Sequence, residues 1–133
     1  MRYITHDAYM MGRDKEYPTT EQMEIDTSTL LFRVNGLLSE FLKDNPTFNV
    51  EVSSGYRPGK YNVAAGGAPQ SGHLICRAVD IKDMANILDA WITAQTDAVL
   101  VRYGLWREHP DRTRGWSHLD ITHRSAFVRT FLP

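Results

Sequence analysis

The chain has few of the features that would stabilise a small protein covalently. Cys76 is the single cysteine among 133 residues, so neither an intramolecular disulfide nor a cysteine-rich zinc site can form. Stability must therefore come from packing of the chain. A bound metal ion would have to be held by histidine and carboxylate side chains.

The sequence also lacks the signals of membrane or nucleic-acid proteins. No stretch approaches the roughly 20 apolar residues of a membrane span, and the first residues, MRYITHDAYMMGRD, do not resemble a secretory signal. Fifteen basic and 16 acidic residues give a net charge of -1, which provides no basic surface for nucleic acid. We expect a monomer made in the cytoplasm without a signal peptide, with no membrane anchor and no nucleic-acid partner.

The composition is that of an ordinary globular protein, with 42% hydrophobic and 23% charged residues. The sequence shows no internal repeat and no linker. We therefore expect one domain over residues 1–133, in which residues 1–18 form an ordered N-terminal arm. After the arm, apolar residues recur at helical spacing, with Thr19 and Gln22 as a possible capping box. The predicted helix begins near Thr19, ends near KDNP, and faces the core with Leu30, Val34, Leu37, Leu38 and Phe41.

The remaining segments alternate between strand-like, helical and turn-rich patterns. Predicted strands are FNVEVSS (48–54), RAVDI (77–81), DAVLVRYG (97–104) and WSHLDIT (116–122), and MANILDAWITAQ (84–95) is a predicted helix. Residues 55–73 and 106–115 are predicted loops, and the first is long enough to suggest a functional role. The pattern indicates an α+β fold with helices packed on a largely antiparallel sheet.

The segment WSHLDIT places side chains that could bind a metal on one face of a predicted strand. Because alternate residues of a strand share a face, His118 and Asp120 point away from the core that Leu119 and Ile121 enter. A strand holds such side chains more rigidly than a loop does.

His73, Asp80 and His118 together would supply the three protein ligands that catalytic zinc usually has. Spacing alone leaves another interpretation open, in which His73 is a loop residue, Asp80 ends a strand and His118 is a histidine satisfied beside Trp116.

Three ordered blocks resemble one known family. SSGYRPGKYNVAAGGAPQSGHLICRAVDI followed by WSHLD, within residues 53–120, is similar to the zinc D-alanyl-D-alanine carboxypeptidase and L-alanyl-D-glutamate endopeptidase family. That family includes vancomycin-resistance dipeptidases and bacteriophage endolysins, and has a hedgehog-like fold. It shows an SGYR-like segment, then S-x-H-x(6)-D, then W-x-H on another strand.

The resemblance implies a zinc-dependent metallopeptidase that hydrolyses peptidoglycan stem peptides in the bacterial cell wall, with an endolysin-like role in a bacteriophage. Under it, His73, Asp80 and His118 bind Zn²⁺, and Arg57 and Ser71 bind the substrate, since a guanidinium suits a peptide carboxylate.

Two positions depart from the family pattern. Cys76 stands where a glycine usually follows the first ligand, close enough in sequence to be a possible metal contact. Gly115 stands three residues before His118, where many members have the general base. The candidates for the base are then Asp111 and Glu108 in the preceding loop, followed by Asp120. If none serves, the alternative is a catalytically silent zinc-binding structural or peptide-binding module of the same fold.

Overall fold

The computed structural model describes residues 3–133. It contains a five-stranded sheet with helices around it. Residues 1 and 2 of the predicted arm lie outside the described residues. The helices are α1 (His6–Met10), α2 (Glu21–Asp44), α3 (Gly59–Ala64), α4 (Ile87–Ala94) and α5 (Ala98–Tyr103), and the strands are β1 (Val52–Ser54), β2 (Ala78–Asp83), β3 (Trp106–Glu108), β4 (Gly115–Asp120) and β5 (Thr130–Phe131). Single 3₁₀ turns occur at Arg13–Lys15, Gly72–Ile75 and Pro110–Arg112.

The strand order is β1-β2-β4-β3-β5, and every pairing is antiparallel except that of β3 with β5. The predicted α+β class with a largely antiparallel sheet is confirmed. In the described part of the chain, no helix is both long and apolar enough to cross a membrane.

Helix α2 is the predicted long helix, and its five predicted core residues are all fully buried: Leu30, Val34, Leu37, Leu38 and Phe41. Its start differs by one residue from the prediction. Thr20, rather than Thr19, is the N-cap, and its hydroxyl accepts a hydrogen bond from the backbone of Met23 at 3.1 Å. The hydroxyl of Thr19 instead donates to Glu24, and Gln22 donates to Asp26, so that pair forms no capping box.

The prediction of a strand over residues 97–104 is wrong, because Ala98–Tyr103 is helix α5. The run is rich in β-branched residues, but its burial follows a helical rather than an alternating pattern. Val99 and Leu100 are fully buried while Val101 is 54% exposed. Tyr103 lies against Gly36 of α2, where an added Cβ would be 2.7 Å from the ring. Close helix packing therefore determines this segment.

Three other segments also differ from the predictions. The strand expected over residues 48–54 is shortened to β1, although Val50 is buried. The long loop after β1 contains α3 and a 3₁₀ turn, Gly72–Ile75. The polar loop over residues 106–115 contains β3, which pairs with both β4 and β5. Strands on both sides supply the backbone partners that make this mostly polar segment extended.

The two faces of the sheet have different compositions. Val79, Ile81 and Leu119 are fully buried and belong to the same apolar core as α2. Because side chains alternate along a strand, Asp80 and His118 project from the opposite face. That face carries the candidate site.

Candidate metal centre and its cavity

His73, Asp80 and His118 meet on the polar face of the sheet. Each offers a ligand atom, and these atoms all lie within 4.8 Å of one another. Asp80 on β2 is directly opposite His118 on β4, and His73 comes from the 3₁₀ turn that leads into β2. All three residues are buried.

The imidazole of His73 is oriented by the backbone. Its Nδ1 lies 2.9 Å from the carbonyl oxygen of Gly55, which can only accept, so Nδ1 carries the hydrogen. The other nitrogen, Nε2, is buried and has no hydrogen-bond partner among the described residues. It lies 3.2 Å from Oδ2 of Asp80. A metal ion between these atoms would satisfy the buried nitrogen, so the residues fit the proposed metal.

The imidazole of His118 lies between two carboxylates. Its Nδ1 is 2.8 Å from Oδ1 of Asp80, and its Nε2 is 3.2 Å from Oδ2 of Asp120. Asp120 is almost fully buried, and its Oδ1 accepts from the backbone of Thr122 at 2.6 Å. Asp120 therefore fixes the ring of His118, a role that carboxylates commonly have toward metal-binding histidines.

The charges in this cluster stabilise one another. Burial alone would lower the pKa of His118, but its hydrogen bonds to Asp120 and Asp80 outweigh burial and raise the pKa to about 9. Burial alone would raise the pKa of Asp80, but its contacts with His118 and His73 hold the pKa well below its usual range. Asp80 is therefore ionised and able to bind a cation.

The structure separates the two predicted candidates for the base. Glu108 lies on β3 and lines the cavity at the metal centre, with its Oε2 3.8 Å from Nδ1 of His118. Continuing the β3–β4 register by one residue sets Glu108 opposite His118. Asp111 lies in the 3₁₀ turn outside the cavity lining, and its side chain is 79% exposed beside His109. Burial raises the pKa of the Glu108 carboxyl.

Arg57 and Ser71 are also at the cavity, on the side of His73. The Nε of Arg57 donates to Asn62 at 2.9 Å, and its Nη2 donates to the Ser71 hydroxyl at 3.3 Å. The same hydroxyl accepts from the backbone N–H of His73. Gly67 packs so tightly here that an added Cβ would be 2.1 Å from Oδ1 of Asn62. The guanidinium is thus held in place at the wall of the cavity.

Cys76 does not belong to the candidate metal set of the described residues. Its side chain is fully buried in the core, and burial raises the pKa of the thiol to about 11. Its backbone is left-handed, with φ of 64°. A glycine adopts that conformation without strain, which explains why glycine suits this position in the resembling family.

A cavity of about 510 Å³ opens over the metal centre. One wall is made of small residues that follow α3, and the other carries side chains from the strands and the C-terminal segment. The lining residues are Arg57, Ala65, Gly66, Gly67, Ala68, Gln70, Ser71, Gly72, His73, Asp80, Glu108, Trp116, His118, Asp120, Arg124, Phe131 and Pro133. Sequence reasoning did not identify Arg124 and Phe131, since both follow the last recognised block.

The other histidines are not part of the site. His109 is half exposed, and its Nδ1 accepts from the backbone of Asp111. His123 packs edge-on against Trp106. His6 on α1 contacts Glu24 of α2 at 2.9 Å.

Two histidines and an aspartate beside an open cavity form a group that could hold a metal ion, with side chains of the types that bind catalytic zinc. Residues 22–120, about three quarters of the chain, match the family model of peptidase M15, and the chain belongs to that family. The predicted family is thereby confirmed, and membership supports a metallopeptidase. No match was found among curated proteins or among solved structures.

Proposed function

We propose that this protein is a zinc-dependent peptidase that hydrolyses peptide bonds in peptidoglycan stem peptides, as a D-alanyl-D-alanine carboxypeptidase or an L-alanyl-D-glutamate endopeptidase. The observation that carries the proposal is a row of side chains across three strands, Asp80, His118 and Glu108, completed by the unpartnered Nε2 of His73. Family membership supports the same class of reaction.

His73, Asp80 and His118 would hold the zinc ion through Nε2, a carboxylate oxygen and Nδ1, respectively. Zinc in such a site supplies polarisation of the scissile carbonyl and a water of lowered pKa. Asp120 keeps the ring of His118 in place through Nε2.

Glu108 is proposed as the general base in the absence of an acid at position 115. Its carboxylate is close to His118 and borders the cavity, so it can take a proton from the attacking water and deliver it to the leaving amine. The geometry does not support the same role for Asp111, which lies outside the cavity lining.

Arg57 and Ser71 are proposed to bind the substrate. The Nη1 of Arg57 is not used in the bonds to Asn62 and Ser71, so the guanidinium can donate to a substrate carboxylate or carbonyl. The small residues that line the neighbouring wall leave room for an extended peptide.

The alternative is a zinc-binding module without catalytic activity. Gly115, which has a φ of 95° and no side-chain carboxylate, is the observation in its favour. The two proposals differ over whether Glu108 replaces the missing acid.

The test combines metal content with digestion of purified peptidoglycan, with and without a chelator. We expect about one zinc per chain and chelator-sensitive release of new amino groups. His118→Ala should lose both, Glu108→Gln should keep zinc and lose cleavage, and Asp111→Asn, a matched exposed change, should keep both. Zinc without cleavage in the unmodified protein would establish the silent module. Absence of zinc would contradict both proposals.

A more specific proposal, an endolysin-like role in a bacteriophage acting on the bacterial wall, rests on the resemblance of the sequence blocks. Its test is lysis of permeabilised bacterial cells by the zinc-loaded protein, with the His118→Ala variant as control. Product analysis would identify the bond that is cut. Cleavage of isolated peptides without any lysis would contradict the lytic role and leave the peptidase proposal intact.

A further inference from the structure

The cavity contains a second arginine that neither the sequence motifs nor the proposed mechanism uses. Arg124 lines the cavity, and its guanidinium carbon lies 3.6 Å from the centre of the Phe131 ring. Its side chain is 36% exposed. Stacking on an aromatic ring restricts a guanidinium without occupying its in-plane N–H groups, so Arg124 is oriented and still able to donate.

The two arginines are connected to different histidines. Arg57 is on the side of His73, whose carbonyl accepts from the backbone of Arg57 at 3.0 Å. Arg124 is on the side of His118, because Phe131 beneath it is 5.9 Å from the His118 ring, centre to centre. A ligand that spans the metal centre would therefore meet one guanidinium on each side.

The balance of charge in the cavity depends on the metal. Arg57 and Arg124 share the cavity with three carboxylates, those of Asp80, Glu108 and Asp120. With a divalent ion bound by neutral histidines, these groups and the ion sum to a net charge of +1. The metal-loaded cavity would therefore attract an anionic ligand.

We propose that Arg124 is a specificity residue that binds a second substrate carboxylate, in addition to the one proposed for Arg57. This inference rests on the proposed function and narrows its substrate class to peptides that carry at least two carboxylates. Stem peptides with a γ-linked glutamate and a free C-terminus have this chemistry. A planar guanidinium can donate two parallel hydrogen bonds to a carboxylate, which a lysine cannot.

A purely structural role is the competing explanation. Arg124 is 3.6 Å from Oδ2 of Asp120 and donates to the carbonyl of Thr122 at 3.4 Å. Both contacts use Nη1, so they leave Nε and Nη2 to a ligand. If Arg124 served only to hold Asp120, its loss would weaken cleavage of all substrates by the same factor.

The test compares three synthetic peptides with the zinc-loaded protein. The parent is L-alanyl-γ-D-glutamyl-L-lysyl-D-alanyl-D-alanine, which contains both bonds of the proposed function, and the analogues carry an amide in place of either the glutamate α-carboxylate or the C-terminal carboxylate. We expect Arg124→Gln to lower kcat/KM for the parent at least about 10-fold through KM. For the analogue that lacks the carboxylate bound by Arg124, kcat/KM of Arg124→Gln should equal kcat/KM of the unmodified protein. For the other analogue, kcat/KM of Arg57→Gln should equal that of the unmodified protein.

The chain offers a matched control and a conservative variant. Arg129 stacks on Trp106 at 4.0 Å but lies outside the cavity lining, so Arg129→Gln should behave as the unmodified protein with all three peptides. Arg124→Lys keeps the charge and loses the planar fork, so it should recover only part of the discrimination.

Binding is measured separately, by calorimetry of the same peptides with the zinc-loaded Glu108→Gln variant, alone and combined with Arg124→Gln. Binding of the parent that depends on Arg124, without cleavage by the unmodified protein, would reject the proposed function and keep this inference. Cleavage of peptides with equal effects of Arg124→Gln on all three, or with no effect, would overturn the inference and keep the proposed function.

Discussion

The two histidines of the candidate metal centre are held by different means. On the loop side, Nδ1 of His73 is bound to a backbone carbonyl, that of Gly55. On the strand side, Nε2 of His118 is bound to a side-chain carboxylate, that of Asp120. Loss of one side chain, that of Asp120, removes the group that orients His118, whereas the carbonyl that orients His73 belongs to the backbone and no side-chain deletion removes it. The position of the His73 ring should therefore depend on packing of the backbone around Gly55, and the position of the His118 ring on a single polar side chain.

The packing on the loop side involves α1, which precedes the residues matched by the family model. The carbonyl of Tyr9 accepts from the backbone of Tyr56 at 3.0 Å, directly beside Gly55. The hydroxyl of Tyr9 donates to the carbonyl of Ala78 at the start of β2. The N-terminal segment thus supports the backbone that orients His73.

The largest effect is expected from Gly55→Ala. The added Cβ would lie 1.9 Å from the carbonyl oxygen of Tyr9, so α1 or the Gly55 segment must move. We expect a loss of about 3 kcal/mol in the free energy of unfolding of the metal-free protein, measured in urea, together with weaker zinc binding. Gly59→Ala is the control, because its Cβ meets nothing within 4 Å and should change stability by less than about 1 kcal/mol. Equal stability of the two variants would refute the packing argument.

Asp120→Asn tests the strand side. Asp120 accepts through both oxygens, from His118 and from Thr122, whereas an asparagine side chain has one acceptor oxygen. We expect zinc affinity to fall about 10- to 100-fold in a competitive titration with a chromophoric chelator. Asp111→Asn makes the same chemical change at an exposed position and should leave affinity unchanged. Unaltered zinc affinity in Asp120→Asn would show that His118 needs no carboxylate partner.

Tyr9→Phe should have a smaller effect, confined to stability. It removes one buried hydrogen bond, 2.9 Å long, and leaves the Ala78 carbonyl without its hydroxyl partner. We expect a loss of about 1–2 kcal/mol in the free energy of unfolding, with zinc affinity close to that of the unmodified protein. The phenyl ring still fills the space beside Gly55, so His73 keeps its carbonyl partner. Tyr3→Phe, at an exposed tyrosine, is the control. A large loss of zinc affinity would mean that this hydroxyl also positions the metal site.

Cys76→Gly should have the smallest effect. Glycine removes the strain of the left-handed backbone conformation, whose φ is 64°. Loss of the buried Cys76 side chain removes its packing contacts in the core. These terms have opposite signs and are each about 1 kcal/mol, so the net change in unfolding free energy should stay below about 1 kcal/mol. Zinc content should be unchanged. Reduced zinc content in a folded variant would make the thiol a contributor to the metal centre.

The features predicted correctly from sequence are those carried by strong local patterns. Helix α2 has an apolar face repeated over 24 residues, and β4 shows clear alternation, so both elements were recognisable. The secondary structure of short segments was predicted less well, because their local patterns are weak. Residues 98–103 look like a strand by composition, but contact with α2 selects the helix. Residues 106–108, Trp-Arg-Glu, carry no strand pattern of their own, and they are extended because β4 and β5 lie on either side.

In the candidate site, too, some features follow from local sequence patterns and others only from contacts between distant segments. The motif blocks predicted His73, Asp80 and His118 as a metal site once the resemblance was recognised, and the structure brings these three side chains together. The position of Glu108 depends on the register of β3 against β4, which no local pattern specifies. Asp120 was a candidate base in the sequence, and only the geometry shows that its carboxylate is bound to His118.

The sequence by itself determined the α+β class and the long core helix, because hydrophobic periodicity is a local property, and its motif blocks suggested the three candidate ligands through their resemblance to a family. The tertiary structure decided which acid reaches the metal centre, which groups hold each histidine, and that Arg124 joins Arg57 in one cavity. These features depend on contacts between segments far apart in the chain, and such contacts are fixed by strand register and core packing rather than by neighbouring residues.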